Sequence, residues 1–140
     1  MILHVKNLEI SSIFKVDLYE NKYGINVSYH RDSIFCCGGY DGKAHLDTCA
    51  IVNLESQKVD YSTKLNEKKS HSALVSSSYY LFCLGGFNEK YLNSCEYLDT
   101  SQKLCWKMGN QLNQTDNSIT SIYVEPNYIY TFGGEDHNSL

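Results

Sequence analysis

Proline is nearly absent from this sequence: Pro126 is the one copy in 140 residues. That excludes a Pro-rich linker. Basic runs are equally scarce. The longest is Lys68-Lys69, and 12 Lys and Arg against 16 Asp and Glu leave a net charge of −4. With no basic face and a pI near 5.7, the chain is not expected to take a nucleic-acid partner. Long apolar runs are missing too. Stretches such as 79–84 fall far short of the roughly 18 to 20 residues a membrane span needs. The first eight residues, Met1-Ile2-Leu3-His4-Val5-Lys6-Asn7-Leu8, meet charge and Asn too early for the apolar region of a signal peptide.

The motifs of catalysis are also missing. There is no G-x-S-x-G, no Walker-type loop and no G-x-G-x-x-G. The five histidines, His4, His30, His45, His71 and His137, show no H-E-x-x-H spacing. The carboxylates are scattered, and Asp41-Gly42-Lys43 reads as a turn. No catalytic, cofactor-binding or metal-binding residue is assigned, and the expectation is a protein that is not an enzyme. The six cysteines, Cys36, Cys37, Cys49, Cys83, Cys95 and Cys105, contain no C-x-x-C pair, so they offer no zinc spacing. Without an export signal they are expected as free thiols in a reducing, cytoplasmic setting, packed as small apolar side chains. Cys36 and Cys37 are adjacent and point to opposite faces of a strand, which argues against a mutual disulfide. Asn26-Val27-Ser28 and Asn113-Gln114-Thr115 have the form of glycosylation sequons. They matter only on the secretory route and are read as chance.

What is present is aromatic residues and repetition. Aromatics make up 13% of the chain, with twelve tyrosines, which is unlike a disordered chain. Gly-Gly occurs at Gly38-Gly39, Gly85-Gly86 and Gly133-Gly134, at intervals of 47 and 48 residues. Each pair closes a short apolar run, with Phe35, Phe82 or Tyr130 three residues before the first glycine. Cys49 and Cys95 follow at ten and nine residues. Ser56-Gln57-Lys58 reads against Ser101-Gln102-Lys103, and Asn7-Leu8-Glu9 against Asn53-Leu54-Glu55. Phe14, Tyr61 and Trp106 stand 24, 24 and 27 residues before a Gly-Gly and read as one repeated position.

Every segment between these markers reads as a short strand, with apolar and aromatic runs bounded by Asn, Asp, Ser and Gly. No window carries a helical stripe. The expected strands are 2–8, 12–18, 24–30, 33–38, 47–54, 58–64, 71–77, 79–85, 94–99, 104–108, 118–125 and 128–133, four per repeat. Turns are expected at His30-Arg31-Asp32, Ser76-Ser77-Ser78 and Glu125-Pro126-Asn127.

A repeat of this length with four strands points to propeller blades. The residues resemble a kelch repeat. Leu81-Phe82-Cys83-Leu84-Gly85-Gly86, then Cys95-Glu96-Tyr97-Leu98-Asp99, then Trp106-Lys107-Met108 follow that family's order. Ser70-His71-Ser72-Ala73-Leu74-Val75 resembles its strand-opening run. The other copies are degenerate: Tyr61 and Phe14 stand where Trp106 does, and Ile51 or Val52 where Tyr97 does. The fold class implied is all-β, a kelch-like β-propeller segment of about three blades. In this reading the glycine pairs sit where strands crowd near the central channel, and the outer-strand aromatic fills the wedge between blades.

The phase of the repeats reads c-d, a-b-c-d, a-b-c-d, a-b: two whole and two half blades. The corresponding segments are 1–21, 22–65, 66–110 and 111–140. Propellers have 4–8 blades, and four at this period need roughly 190 residues. Three arrangements follow: part of a larger propeller, a truncated product, or a homodimer of two copies completing a six-bladed ring. The two halves of one chain could also complete a blade by strand exchange. An incomplete ring leaves open edges at 2–8 and 128–133.

The b–c loops (40–46, 87–92 and 135–140) and the d–a loops (about 19–23, 65–70 and 109–117) are expected on one end of the blades. They carry Tyr40, Asp41, Lys43, His45, Phe87, Glu89, Lys90, Tyr91, Asp136 and His137, aromatics beside charge that suit protein contacts. The expected function is a protein–protein interaction scaffold or adaptor. The resemblance implies partners among ubiquitin-ligase or cytoskeletal components. The alternatives are a structural or truncated fragment without independent function, and a metal-dependent enzyme on a propeller scaffold. The last would need the clustered Tyr/His/Cys site of the kelch-like copper-radical oxidases.

Overall fold

The computed structural model describes residues 2–6, 9–14, 22–102, 104–114 and 118–134, the first two segments by backbone alone. Among the described residues there are twelve strands and no helix. They are β1 (Ile2–Lys6), β2 (Glu9–Phe14), β3 (Asn26–His30), β4 (Ser33–Cys37), β5 (Cys49–Asn53), β6 (Val59–Asp60), β7 (Ala73–Ser76), β8 (Tyr80–Leu84), β9 (Cys95–Asp99), β10 (Trp106–Met108), β11 (Thr120–Val124) and β12 (Tyr128–Phe132).

Two sheets have four antiparallel strands, β3-β4-β5-β6 and β7-β8-β9-β10; two have a pair each, β1-β2 and β11-β12. The four-stranded sheets are here called the first and second full blades. The two short sheets share no ladder, so the halves do not complete one blade within the chain and the ring is not closed. The turns form where Arg31-Asp32, Ser78-Tyr79 and 125–127 interrupt the apolar pattern. The second is centred one residue later than expected. Ser77 holds it, its N–H donating to Tyr80 O at 2.8 Å and its Oγ accepting from Tyr80 N at 3.1 Å.

Strand residues alternate faces, and both faces of the second full blade are covered by neighbours. That is why β8 is apolar throughout. Leu81 and Cys83 face the first full blade, joining Phe35, Cys37, Cys49, Ile51, Leu65, Leu74, Leu98 and Trp106 in one buried cluster. Leu84 and Phe82 face the other way, packing with Ala73, Val75, Ile119, Tyr123 and Ile129 toward β11-β12.

The ladder corrects one expected equivalence. Leu98 pairs with Trp106, and Val52, its counterpart in the first full blade, pairs with Val59. Val59 therefore takes the Trp position. Tyr61 lies beyond the two-residue β6 and is 59% exposed, whereas Trp106 is 2% exposed. A short outer strand leaves no pleat to turn Tyr61 inward. The third-strand Tyr position resolves to Ile51: it pairs with Phe35 as Tyr97 pairs with Phe82. Of Phe14 only the backbone, in β2, is described.

A backbone thread joins the blades where each first strand is entered. Gly24, His71 and Ser118 lie 47 residues apart and share a left-handed conformation, with φ of 57°, 53° and 54°. His71 N–H donates to Gly24 O and Ser118 N–H to His71 O, both at 2.8 Å. A Cβ on Gly24 would meet the His71 imidazole at 2.5 Å. The Gly-Gly pairs answer the same crowding. A Cβ on Gly38 would stand 2.4 Å from Lys69 O, the carbonyl that accepts from Gly39 N–H at 2.9 Å.

Lys69 is the surprise of this seam. Its side chain is fully buried, as is that of Glu96 on β9. The ammonium's three protons have three acceptors: Ser94 Oγ at 2.8 Å, Glu96 Oε1 at 3.1 Å and Glu67 Oε2 at 3.4 Å. Glu96 also accepts from Asn66 N at 2.6 Å, Asn66 Nδ2 at 2.9 Å and Glu67 N at 3.3 Å. The pair is tolerated in the interior because no polar atom in it is left over. Removing one partner strands the other, at a cost of about 3–5 kcal/mol. Lys69→Met is thus expected to lower the urea-unfolding free energy by that order. Lys69→Met/Glu96→Leu should recover a large part of the loss. Equal losses in single and double variants would contradict a coupled pair.

At the other end of the same seam, His30 is buried between two hydroxyls, Ser76 Oγ at 2.7 Å from Nδ1 and Thr100 Oγ1 at 2.9 Å from Nε2. Thr100 donates onward to Tyr79 O at 2.9 Å, so Nε2 is the donor to Thr100, while Ser76 Oγ also lies 3.3 Å from Ser77 O. Burial, then the Arg31 charge, lowers the His30 pKa below its ordinary 6.5. The unfolded chain therefore binds the proton more readily. The contribution is fully present above 6.5 and is lost as pH falls from there through the folded value. Unfolding midpoints measured between pH 7.5 and 5 should decline less steeply in His30→Gln than in the parent; parallel slopes would contradict this.

Candidate functional site

The b–c loops are built alike in the two full blades. Leu46 N–H returns to Gly39 O and Leu92 N–H to Gly86 O, each at 2.9 Å. Tyr40 bridges to Tyr23 and His45; Phe87, 47 residues on, bridges to Ser70 and Tyr91. The first loop is closed by Asp41, whose Oδ1 accepts from Ala44 N at 2.8 Å and Lys43 N at 2.9 Å. Those two backbone donors hold the Asp41 carboxyl below its ordinary pKa, so it is charged. In the second, Asn88 N–H donates to Lys90 O at 3.0 Å and Glu89 takes a left-handed φ of 58°.

The result is a row of rings running across both blades. Tyr40 and His45 have ring centroids 4.9 Å apart, His45 and Phe87 5.5 Å edge-to-face, Phe87 and Tyr91 5.6 Å edge-to-face. All four are half-buried, while Asp41, Lys43, Glu89 and Lys90 stand exposed around them. His45 is pinned to the seam: its Nδ1 lies 3.1 Å from Ser70 Oγ, itself 3.0 Å from His71 Nδ1. Burial lowers the His45 pKa, opposed by Glu89 and assisted by His71. The ring is therefore neutral near pH 7 and acts as a flat, amphipathic contact. Eight of the ten loop residues singled out in the sequence thus converge on one surface. Asp136 and His137 lie outside the described residues.

Beside Tyr91 opens a cleft of about 680 Å³, lined by Lys90, Tyr91, Met108, Glu67 and Ser94 among others. Glu67 and Ser94 are the outer edge of the buried Lys69 network, so the cleft has a carboxylate of fixed orientation at its margin. Sequence reading missed Glu67, Ser94 and Met108. Glu67 falls in the 65–70 loop that the sequence places on this end of the blades, but nothing in its type set it apart. At the opposite end, a cleft of about 410 Å³ lies between the turns, lined by Tyr79, Tyr80, Phe82, Tyr123, Pro126 and Ile129. None of those six was read as a site residue from the sequence.

None of the six cysteines is in a disulfide. Cys37, Cys49 and Cys83 lie fully buried in the seam. Burial pushes the Cys83 pKa up to about 12, with Lys69 and a 3.2 Å contact to Ser72 Oγ working against the rise. Burial likewise raises Cys37, Cys36 and Cys95. Among the described residues, no three His, Cys, Asp or Glu side chains group as a metal site would need.

Blades of four antiparallel strands in chain order, linked by a 47-residue backbone thread, define a propeller-type repeat segment. In the second full blade, residues 68–113 match the family model for the Kelch motif. The chain carries a kelch motif in an all-β fold of that kind. The match runs from the Lys69 loop past β10, enclosing the blade whose Trp, Tyr and Gly-Gly are best kept. No curated protein matches the chain.

The thiol environments give a direct readout. Cys105, the exposed thiol, is expected to react first with a thiol-specific reagent at pH 8. Cys37, Cys49 and Cys83 should react only on unfolding, as followed by mass spectrometry of labelled peptides. Early modification of Cys83 in the folded protein would contradict the seam.

Proposed function

We propose that the chain is a non-enzymatic protein-interaction module that receives its partner on the row Tyr40, His45, Phe87 and Tyr91. The observation that carries this reading is the row itself. Four rings from two blades form a continuous half-buried strip with exposed charge of both signs at its rim. Aromatic anchors ringed by charge are the composition of interaction hot spots. The strip is rigid, because backbone bridges fix both loops and the His45–Ser70–His71 chain ties it to the seam. Little conformational entropy is lost when such a surface is covered. The kelch motif supports the same class of function. The cleft beside Tyr91 extends the strip and offers Glu67 to a donor from the partner. In this reading the module works as a scaffold or receptor in the cytoplasm.

The test is selection of binding peptides from a random displayed library on the folded chain. Isolates would then be titrated against Phe87→Ala, Tyr91→Ala and, as a control at the other end, Tyr79→Ala. Phe87→Ala and Tyr91→Ala should each weaken binding roughly tenfold or more, the scale of a residue worth above 1 kcal/mol. Tyr79→Ala should leave it unchanged. Isolates that bind all variants equally would sink the reading.

A further inference from the structure

We propose that two copies of this chain join, each β11-β12 pair docking against the inner strands of the partner's first full blade, to form a closed six-bladed ring. The chain makes this seam twice internally and leaves its two halves exposed, one on β11-β12 and the other on the first full blade.

Within the chain, each blade presents a following face and receives a preceding one. On the following faces, Phe35 and Cys37 of β4 and then Leu84 of β8 are buried under the next blade. Their counterparts on β12, Tyr130 and Phe132, are 50% and 61% exposed. On β11, Ile122 pairs with Tyr130 and Val124 with Tyr128, so all five apolar side chains share one face. Ile122, Val124 and Tyr128 are exposed as well. The opposite face of the same hairpin, Tyr123 and Ile129, packs against the second full blade.

The matching half stands on the first full blade. On the preceding face of the second full blade, Leu74, Leu81 and Cys83 are buried. Their counterparts by the 47-residue period are Val27, Ile34 and Cys36. Val27 is 57% exposed and its face-mate Tyr29 61%, while Ile34 and Cys36 are half-buried. The exposure is confined to the two inner strands. Ala50 and Val52 of β5, paired with Cys36 and Ile34 on that face, are buried. The open patch is thus two strands wide, the width of one hairpin. β11-β12 is such a hairpin and carries an apolar face of the right kind.

The backbone agrees with the side chains. Among the described residues β12 pairs only with β11, and β1 only with β2. Setting the partner's β1-β2 beside β12 gives the order a-b-c-d of the full blades. Doing so twice about a two-fold axis uses every such edge. Closure is the propeller's means of removing strand edges, and six blades lies within the observed range. The two-fold axis gives two equivalent seams, in each of which one face of one copy meets a different face of the other. This inference does not depend on the loop row, which lies elsewhere on the blades.

Sedimentation or light scattering of the full chain should give twice the 16.0 kDa chain mass. Ile122→Lys/Tyr130→Lys on one face, and separately Val27→Glu/Tyr29→Glu on the other, should each give a folded monomer, with folding checked by circular dichroism. Mixing the two variants should restore the dimer, because one wild-type contact and one Lys–Glu contact are then available. A folded monomeric parent, an open polymer, or a dimer indifferent to either pair of substitutions would overturn the proposal. Peptide binding to the loop row by a monomeric variant would show that failure here leaves the interaction reading standing.

Discussion

Lys69 holds the two full blades together, and much of the structure follows from the need to satisfy it. Its carbonyl accepts from Gly39, its N–H donates to Leu46 O, and its ammonium reaches Glu96 on the next blade. A lysine with no exposed surface is stable only if each proton has an acceptor. Here those acceptors are Glu96 on β9, Ser94 just before it and Glu67 in the loop that carries Lys69 itself. The demand is geometric. It fixes how far the second blade sits from the first, and therefore where the b–c loops of both emerge. Gly38 has no Cβ because Lys69 O occupies that space. The glycine pair that marks the repeat in sequence is thus the imprint of a neighbour's backbone.

The strand plan was readable because blade strands are short, apolar on both faces and closed by glycine or polar turns. That pattern has no helical alternative, and the period of 47 told where each copy began. What could not be read was anything that depended on register. Tyr61 looked like the partner of Trp106 by its distance to Gly-Gly, yet the ladder assigns that place to Val59. A two-residue difference in an outer strand is invisible to spacing. The thread through Gly24, His71 and Ser118 shares the same period and was missed for another reason. Its residues have nothing in common but a left-handed φ, which Gly, His and Ser reach by different means. Lys69 escaped for the opposite reason: a charged residue in a loop is normally solvated, and only tertiary structure shows one that is not.

The candidate site was half legible. The loops were identifiable as those following Gly-Gly, and their aromatics stood out by type. Composition could not show that Tyr40, His45, Phe87 and Tyr91 touch in sequence across the blade boundary. That continuity needs the blades at the spacing Lys69 imposes. His45 reaches Phe87 only because Ser70, one residue from Lys69, anchors its imidazole. The contact row and the buried network are therefore successive layers of one seam.

The same seam explains the distribution of exposed apolar surface. Scattered tyrosines on a surface call for no explanation. Here the exposed Val27, Tyr29, Ile122, Tyr128, Tyr130 and Phe132 occupy the repeat positions, or share the faces, that the two internal seams bury. Blade packing is a property of each repeat, so the residues that make a seam are encoded in every copy whether or not a neighbour stands beside it. The polar device is less regular: Lys22 stands 47 residues before Lys69, but Ala50 takes the place of Glu96 in the first full blade, so the Lys69–Glu96 pair is not copied there. The apolar part of the seam is general, and the ion pair is specific to the junction that also carries the aromatic row. Position of the loops at that one junction is thereby set more tightly than packing alone would set it.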